Sequence, residues 1–128
     1  MTWHRGLNAL DKLAAEWALH DGAIRGVKIE SDLRSGLVME LTCTPRSESP
    51  VEVAVIRFEG VKRFDVAWDD REEFLFVPGY KAAMLQTGAV YFSLDPFDDR
   101  VLEADERDAW VIEAARISVH LTMKEPGQ

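Results

Sequence analysis

Two places in the sequence hold residue types suited to covalent or acid–base chemistry. His20 and Asp21 set an imidazole beside a carboxylate, the pairing in which an acid orients a ring that serves as general base. Sequence neighbours rarely meet the geometry, which needs a hydrogen bond to one ring nitrogen and a nucleophile on the other side. A histidine near a helix end also interacts well with exposed carbonyls, so a capping and turn-forming role is expected here. Cys43 is the single cysteine. It would serve as a nucleophile only if exposed and near a positive group or helix start. Its parity places it with Leu37, Met39 and Leu41 on an apolar strand face, which predicts a buried, inert thiol. The sequence has no Gly-rich phosphate loop, no Gly-x-Ser-x-Gly elbow, no His-Glu-x-x-His and no paired-cysteine zinc spacing. No catalytic residue, metal or cofactor is expected, and enzymatic activity stays an open alternative.

Carboxylates gather in two turns, Asp69, Asp70, Glu72 and Glu73, and Asp95, Asp98 and Asp99. Neither has the alternating acids, sixth-position glycine and closing glutamate of a calcium loop. They read as solvated turns or, more sharply, as a surface that steers a basic partner. His120 belongs to a polar strand face with Glu40, Thr42 and Ser118, to which Tyr91, Ser93 and Asp95 add if their strand is adjacent. A wet face of an antiparallel sheet is the plain reading of that set. Of four tryptophans, Trp68, just before Asp69, and Trp3 are candidate interface anchors. The candidate binding residues are therefore Trp68, Asp69, Asp70, Glu72, Glu73, Asp98, Asp99 and His120.

Positioning these residues falls to elements legible from periodicity. Leu10, Leu13, Ala14 and Trp17 form one apolar stripe, predicting a helix from about Ala9 to His20, with Asn8 as cap, Asp11 in a capping-box position and Gly22 closing it. Strands follow over Ala23–Glu30, with Val27 and Ile29 inward and a bulge at Gly26, and over Leu37–Thr44. Pro50–Phe58, apolar on both sides, reads as the central strand, ending at Gly60. Arg63–Trp68 alternates again, Phe74–Val77 is undecided, and Tyr80–Gln86 reads as a short helical turn. Ala89–Asp95 and Trp110–Thr122 complete the strands, the latter with Ala115, Ile117, Val119 and Leu121 on one face. The predicted fold is a single α+β domain spanning residues 1–128. Its N-terminal helix packs on a mainly antiparallel sheet of about six strands with one face partly open.

Fifteen basic against 23 acidic residues give a net charge of −8, which repels phosphate backbones and predicts no nucleic-acid partner. No apolar run approaches the roughly 20 residues of a membrane helix. The N-terminus lacks an apolar signal core. A cytoplasmic chain without a membrane partner is expected.

The run Leu19-His20-Asp21-Gly22-Ala23-Ile24, then Val27-Lys28-Ile29, a hairpin, and Ile56-Arg57-Phe58-Glu59-Gly60-Val61 resembles immunity proteins of polymorphic toxin systems, of the immunity-protein-fifty type. In those a Leu-His-Asp turn opens the first strand, and a later strand carries an Arg-Phe or Leu-x-Phe before a Val turn. The likeness spans about the first half of the chain. It implies a non-enzymatic protein that neutralises a toxin domain, here through an acidic surface suited to a basic protein partner, with no catalytic residues to carry over. The alternative is a small-molecule-binding or catalytic protein with a pocket between helix and sheet, in which His20, Tyr80 and His120 are the polar groups.

Overall fold

The computed structural model describes residues 2–65 and 76–126. Trp68, Asp69, Asp70, Glu72 and Glu73 lie outside the described residues. Among the described residues, eight antiparallel strands and one short helix follow in chain order: β1 (His4–Arg5), α1 (Leu7–Ala15), β2 (Gly22–Asp32), β3 (Gly36–Thr44), β4 (Val51–Asp65), β5 (Phe76–Val77), β6 (Lys81–Met84), β7 (Val90–Asp95) and β8 (Ala109–Met123). Seven strands form one path, β5-β2-β3-β4-β8-β7-β6, and β1 pairs with β8 beside it. The sheet curls into a half-barrel, and the helix is a minor component of it.

β4 is central, as its two-sided apolar pattern predicts, and it continues past Gly60 instead of ending there. Gly60 has φ +61, a left-handed conformation that costs a residue with a Cβ, and its amide donates to the Ser35 carbonyl at 2.8 Å. Across this point the residues that face the core change parity, from Ile56 and Phe58 to Val61. β8 makes the matching change between Ile117 and Ala114. Ala114, not the expected Ala115, therefore enters the core.

The core face reads across the sheet in register. Met39, Leu41 and Cys43 of β3 lie opposite Phe58, Ile56 and Ala54 of β4, which in turn face Ile117, Val119 and Leu121 of β8. Farther along, Ala114 and Ile112 meet Val90 and Phe92 of β7. Ala9 and Leu13 of α1 close over this face. Cys43 is fully buried, and burial pushes its thiol up to about 11.

Several expectations about the helix and its neighbours are corrected. The helix starts after Gly6 with no side-chain cap; Asn8 lies inside it, within 3.4 Å of the His4 ring, so Asp11 completes no capping box. It ends early because Trp17 adopts φ 53, with Ala18 N–H bonding Leu13 C=O and Trp17 N–H bonding Ala14 C=O. That is a Schellman closure in which tryptophan holds the place usually given to glycine. Trp17 consequently points outward, 47% exposed, with the Arg46 guanidinium 3.7 Å from its ring centre. Gly22 is the first residue of β2 and not the helix stop.

In β2 the bulge falls between Ile24 and Gly26, as expected. Val27 and Ile29 pair with the buried Leu41 and Met39 yet remain more than 40% exposed, because no described residue covers that end of the face. Residues 81–84 form an edge strand in place of the predicted helical turn. Among the described residues no helix is long and apolar enough to cross a membrane.

Candidate functional site

Strand β6 organises the two most distinctive environments of the molecule, one on each side. Lys81 pairs with Ser93, and its side chain passes to the face opposite the core, where residues 96–108 fold back over β7. Lys81 is 1% exposed. A buried ammonium needs both a counter-charge and full hydrogen bonding. Its Nζ donates to both oxygens of Asp108, at 3.1 and 2.9 Å, and to the Glu103 carbonyl at 2.8 Å. The Asp108 carboxylate also accepts from the Tyr91 hydroxyl at 2.6 Å and from the backbone N–H groups of Phe97 and Asp105.

Burial acts to raise the Asp108 carboxyl, but the bonds from Tyr91, Lys81, Phe97 and Asp105 outweigh it and hold the group below the usual carboxylate range. Tyr91 is pushed up to about 12, first by burial and then by the adjoining carboxylate. Every polar atom of this cluster has a partner that fixes the 96–108 loop to the sheet. It is a clasp between loop and sheet.

The other side of β6 faces an open groove of about 870 Å³ between the helix and the sheet edge. Leu7, Leu10 and Ala14 of α1 form one wall, and Leu102 and Ala104 of the clasped loop form the other. Tyr80 and residues 82–86 line the groove between them. The Tyr80 ring stacks on Phe92 with centroids 5.8 Å apart, and burial raises its hydroxyl. Two exposed carboxylates, Asp11 and Glu103, stand on the rim, and neither side chain has a partner among the described residues. Leu7, Met84 and Leu102 are each more than a third exposed along the same groove. The Lys81 bond to the Glu103 carbonyl thus ties the outer wall to the floor.

Of the residues expected from the sequence to bind a partner, three are described, and Asp98 and Asp99 do not meet His120. Asp98 is already engaged by Arg100, through its backbone N–H at 3.0 Å and its guanidinium at 3.1 and 3.3 Å, and Arg100 lowers its carboxyl. The Asp99 carboxylate lies against Gly79. His120 is at the other end of β8, its Nδ1 3.0 Å from the Thr2 carbonyl and its ring 5.5 Å from that of Trp3. His20 sits 3.9 Å from the Asp21 carboxylate, which Arg46 also approaches at 3.5 Å, and it belongs to the turn entering β2. Of the polar residues in the pocket alternative, Tyr80 alone lines the groove.

On the polar face, Arg57 reaches Glu40 at 2.7 Å and Glu59 at 3.6 Å, while Tyr91 and Ser93 are buried beneath the loop. Among the described residues no group of three His, Cys, Asp or Glu side chains gathers as metal ligands do.

Sequence reading missed Lys81, Asp108, Asp11 and Glu103. Asp108 lies in an acidic stretch that looks solvated, and the helix-forming composition of Lys81-Ala82-Ala83-Met84 masks a strand. No protein-family model, curated protein or solved structure matches this chain.

Proposed function

We propose that the protein is a non-enzymatic binding protein for a basic protein partner, of the kind expected of an immunity-like protein that neutralises a toxin domain. The groove beside β6 is its recognition surface. The observation that carries this reading is the joining of an apolar floor to two rim carboxylates, Asp11 and Glu103, that have no partner among the described residues, on a body of net charge −8. An apolar anchor supplies affinity, and rim charges supply approach rate and partner choice. Asp98 contributes less than its sequence position implies, because Arg100 neutralises it locally.

The test is capture of partners on the immobilised protein at low and high salt, with the charge-reversed Asp11→Lys/Glu103→Lys variant in parallel. A basic protein retained at low salt, and lost both at high salt and on the variant, is the expected result. Retention that ignores salt and charge reversal would remove the rim from the function. The half-buried Tyr80 hydroxyl favours a second reading, a small amphipathic cation lodged in the same groove, and apolar amines tested against the purified protein would reveal it.

A further inference from the structure

We infer, resting on the basic-partner reading above, that the partner is held as an added strand on β6: an extended segment of alternating apolar and basic residues pairs with the free edge of the sheet inside the groove. The backbone register carries this. Leu85 N–H bonds the Ala89 carbonyl, which makes that pair a hydrogen-bonded one. Antiparallel ladders alternate, so Ala83–Tyr91 and Lys81–Ser93 are the next bonded pairs, and Ala82 and Met84 direct their N–H and C=O groups away from β7. β6 ends the strand order, and among the described residues no backbone bond reaches the outward groups of Ala82 and Met84.

An unpaired edge is a template for another strand, and natural proteins commonly blunt one with charge, proline or a covering element. Residues 82–84 carry none of these; they are Ala, Ala and Met, set between two apolar walls. A strand laid here would satisfy its backbone on β6. Side chains of one parity would enter the space between α1 and the sheet, the usual division of labour in strand addition.

Charge selects the occupant. A second copy of this chain pairing through β6 would bring Asp11 and Glu103 of each copy towards the same two carboxylates of the other, which like-charge repulsion disfavours. A lysine- or arginine-bearing strand meets both favourably.

The probe is a capped heptapeptide of alternating lysine and valine, followed by amide resonances and hydrogen exchange of the intact protein. Two further peptides accompany it, one N-methylated at alternate residues and one with glutamate in place of lysine. The basic peptide is expected to slow exchange of the Ala82 and Met84 amides at least tenfold. N-methylation should weaken binding at least tenfold, and the glutamate peptide should not bind. Ala82→Pro removes an outward N–H and leaves the β6–β7 ladder bonds in place, so it should abolish that protection while the fold persists. If the variant fails to fold, the N-methylated peptide still decides.

Equal binding by the N-methylated peptide, or binding without protection of Ala82 and Met84, overturns strand addition while leaving a basic partner intact. Shifts confined to Tyr80 and Leu10 side chains on adding an apolar amine, with no amide protection by any peptide, assign the groove to a small amphiphile and overturn the inference. Absence of binding by the basic peptide at millimolar concentration overturns the inference, whereas the charge-reversal capture experiment judges the basic-partner reading separately. A dimer in sedimentation that protects these same amides would transfer the edge to a second copy and overturn it as well.

Discussion

The Tyr91 hydroxyl donates a 2.6 Å hydrogen bond to the same Asp108 oxygen that lies 2.9 Å from the Lys81 ammonium, so three ionisable side chains share one buried site. Breaking a buried pair by removing one partner leaves the other charge uncompensated. Asp108→Asn is therefore expected to destabilise by about 3–5 kcal/mol in urea unfolding. Adding Lys81→Met should return part of that loss. If Asp108→Asn proves neutral, the clasp contributes little to stability.

The same cluster predicts an alkaline and an acid limit. Tyr91 is raised from 10.0 to about 12, so the native state holds its proton more tightly than the unfolded chain. Its contribution is complete below about pH 10 and declines as pH rises towards 12. Asp108 is lowered, so its contribution is complete above the ordinary carboxylate range and is lost as pH falls through the depressed value. Tyr91→Phe should flatten the alkaline decline and also soften the acid one, because it removes one of the bonds that hold the Asp108 carboxyl down, as followed by denaturant midpoints across pH. An unchanged alkaline decline in that variant would detach it from Tyr91.

Trp17 and Leu13 should respond in opposite measure. Leu13 is 1% exposed, and its truncation to alanine should cost about 2–5 kcal/mol. Trp17 rests outside the core under Arg46, a contact worth about 0.5–1 kcal/mol at an exposed site, so Trp17→Ala should cost no more than that. Thermal unfolding of the two variants side by side checks both.

At Gly60, a Cβ would lie 3.0 Å from the Ala115 Cβ in a backbone with φ +61. Gly60→Ala is expected to cost about 1–3 kcal/mol, chiefly from the left-handed conformation. Hydrogen exchange should show the loosening near Ser35 and Ala115. A variant as stable as the parent would mean that the sheet bends elsewhere.

Cys43 should resist thiol reagents in the native state and react quickly in denaturant, because its thiol is buried and raised to about 11. Rapid native labelling would place the side chain on the wrong side of β3.

Strands buried on one face were legible because alternation reports directly on which residues meet the core. Leu37, Met39, Leu41 and Cys43 lie on one face, and Val90, Phe92 and Leu94 point inward as read. Alternation gave out where the backbone turns its own register, at Gly60 and between Ala114 and Ile117, since a parity change looks like the end of a strand. The helix stripe over-reached to Trp17 because nothing in the side chain announces a left-handed closure. The groove was not legible. Its walls come from residues 7–14, 80–86 and 102–104, and the loop wall stays in place through Lys81 and Asp108, two charged residues that composition assigns to solvent.

Strand β8 pairs with β4 along one edge and with β7 and β1 along the other. A chain emerging from the ribosome holds two unconnected pieces until residues 109–123 are free: the β2–β3–β4 unit, with β5 at its edge, and the β6–β7 hairpin. Neither piece contains the other's core-facing layer, and β4 exposes its whole β8-facing edge meanwhile. Assembly therefore waits for β8, and it is dominated by pairings of large sequence separation and slower than local hairpin closure. Nascent chains stalled before residue 109 should be protease-sensitive throughout, and release of the last strand should protect both pieces together.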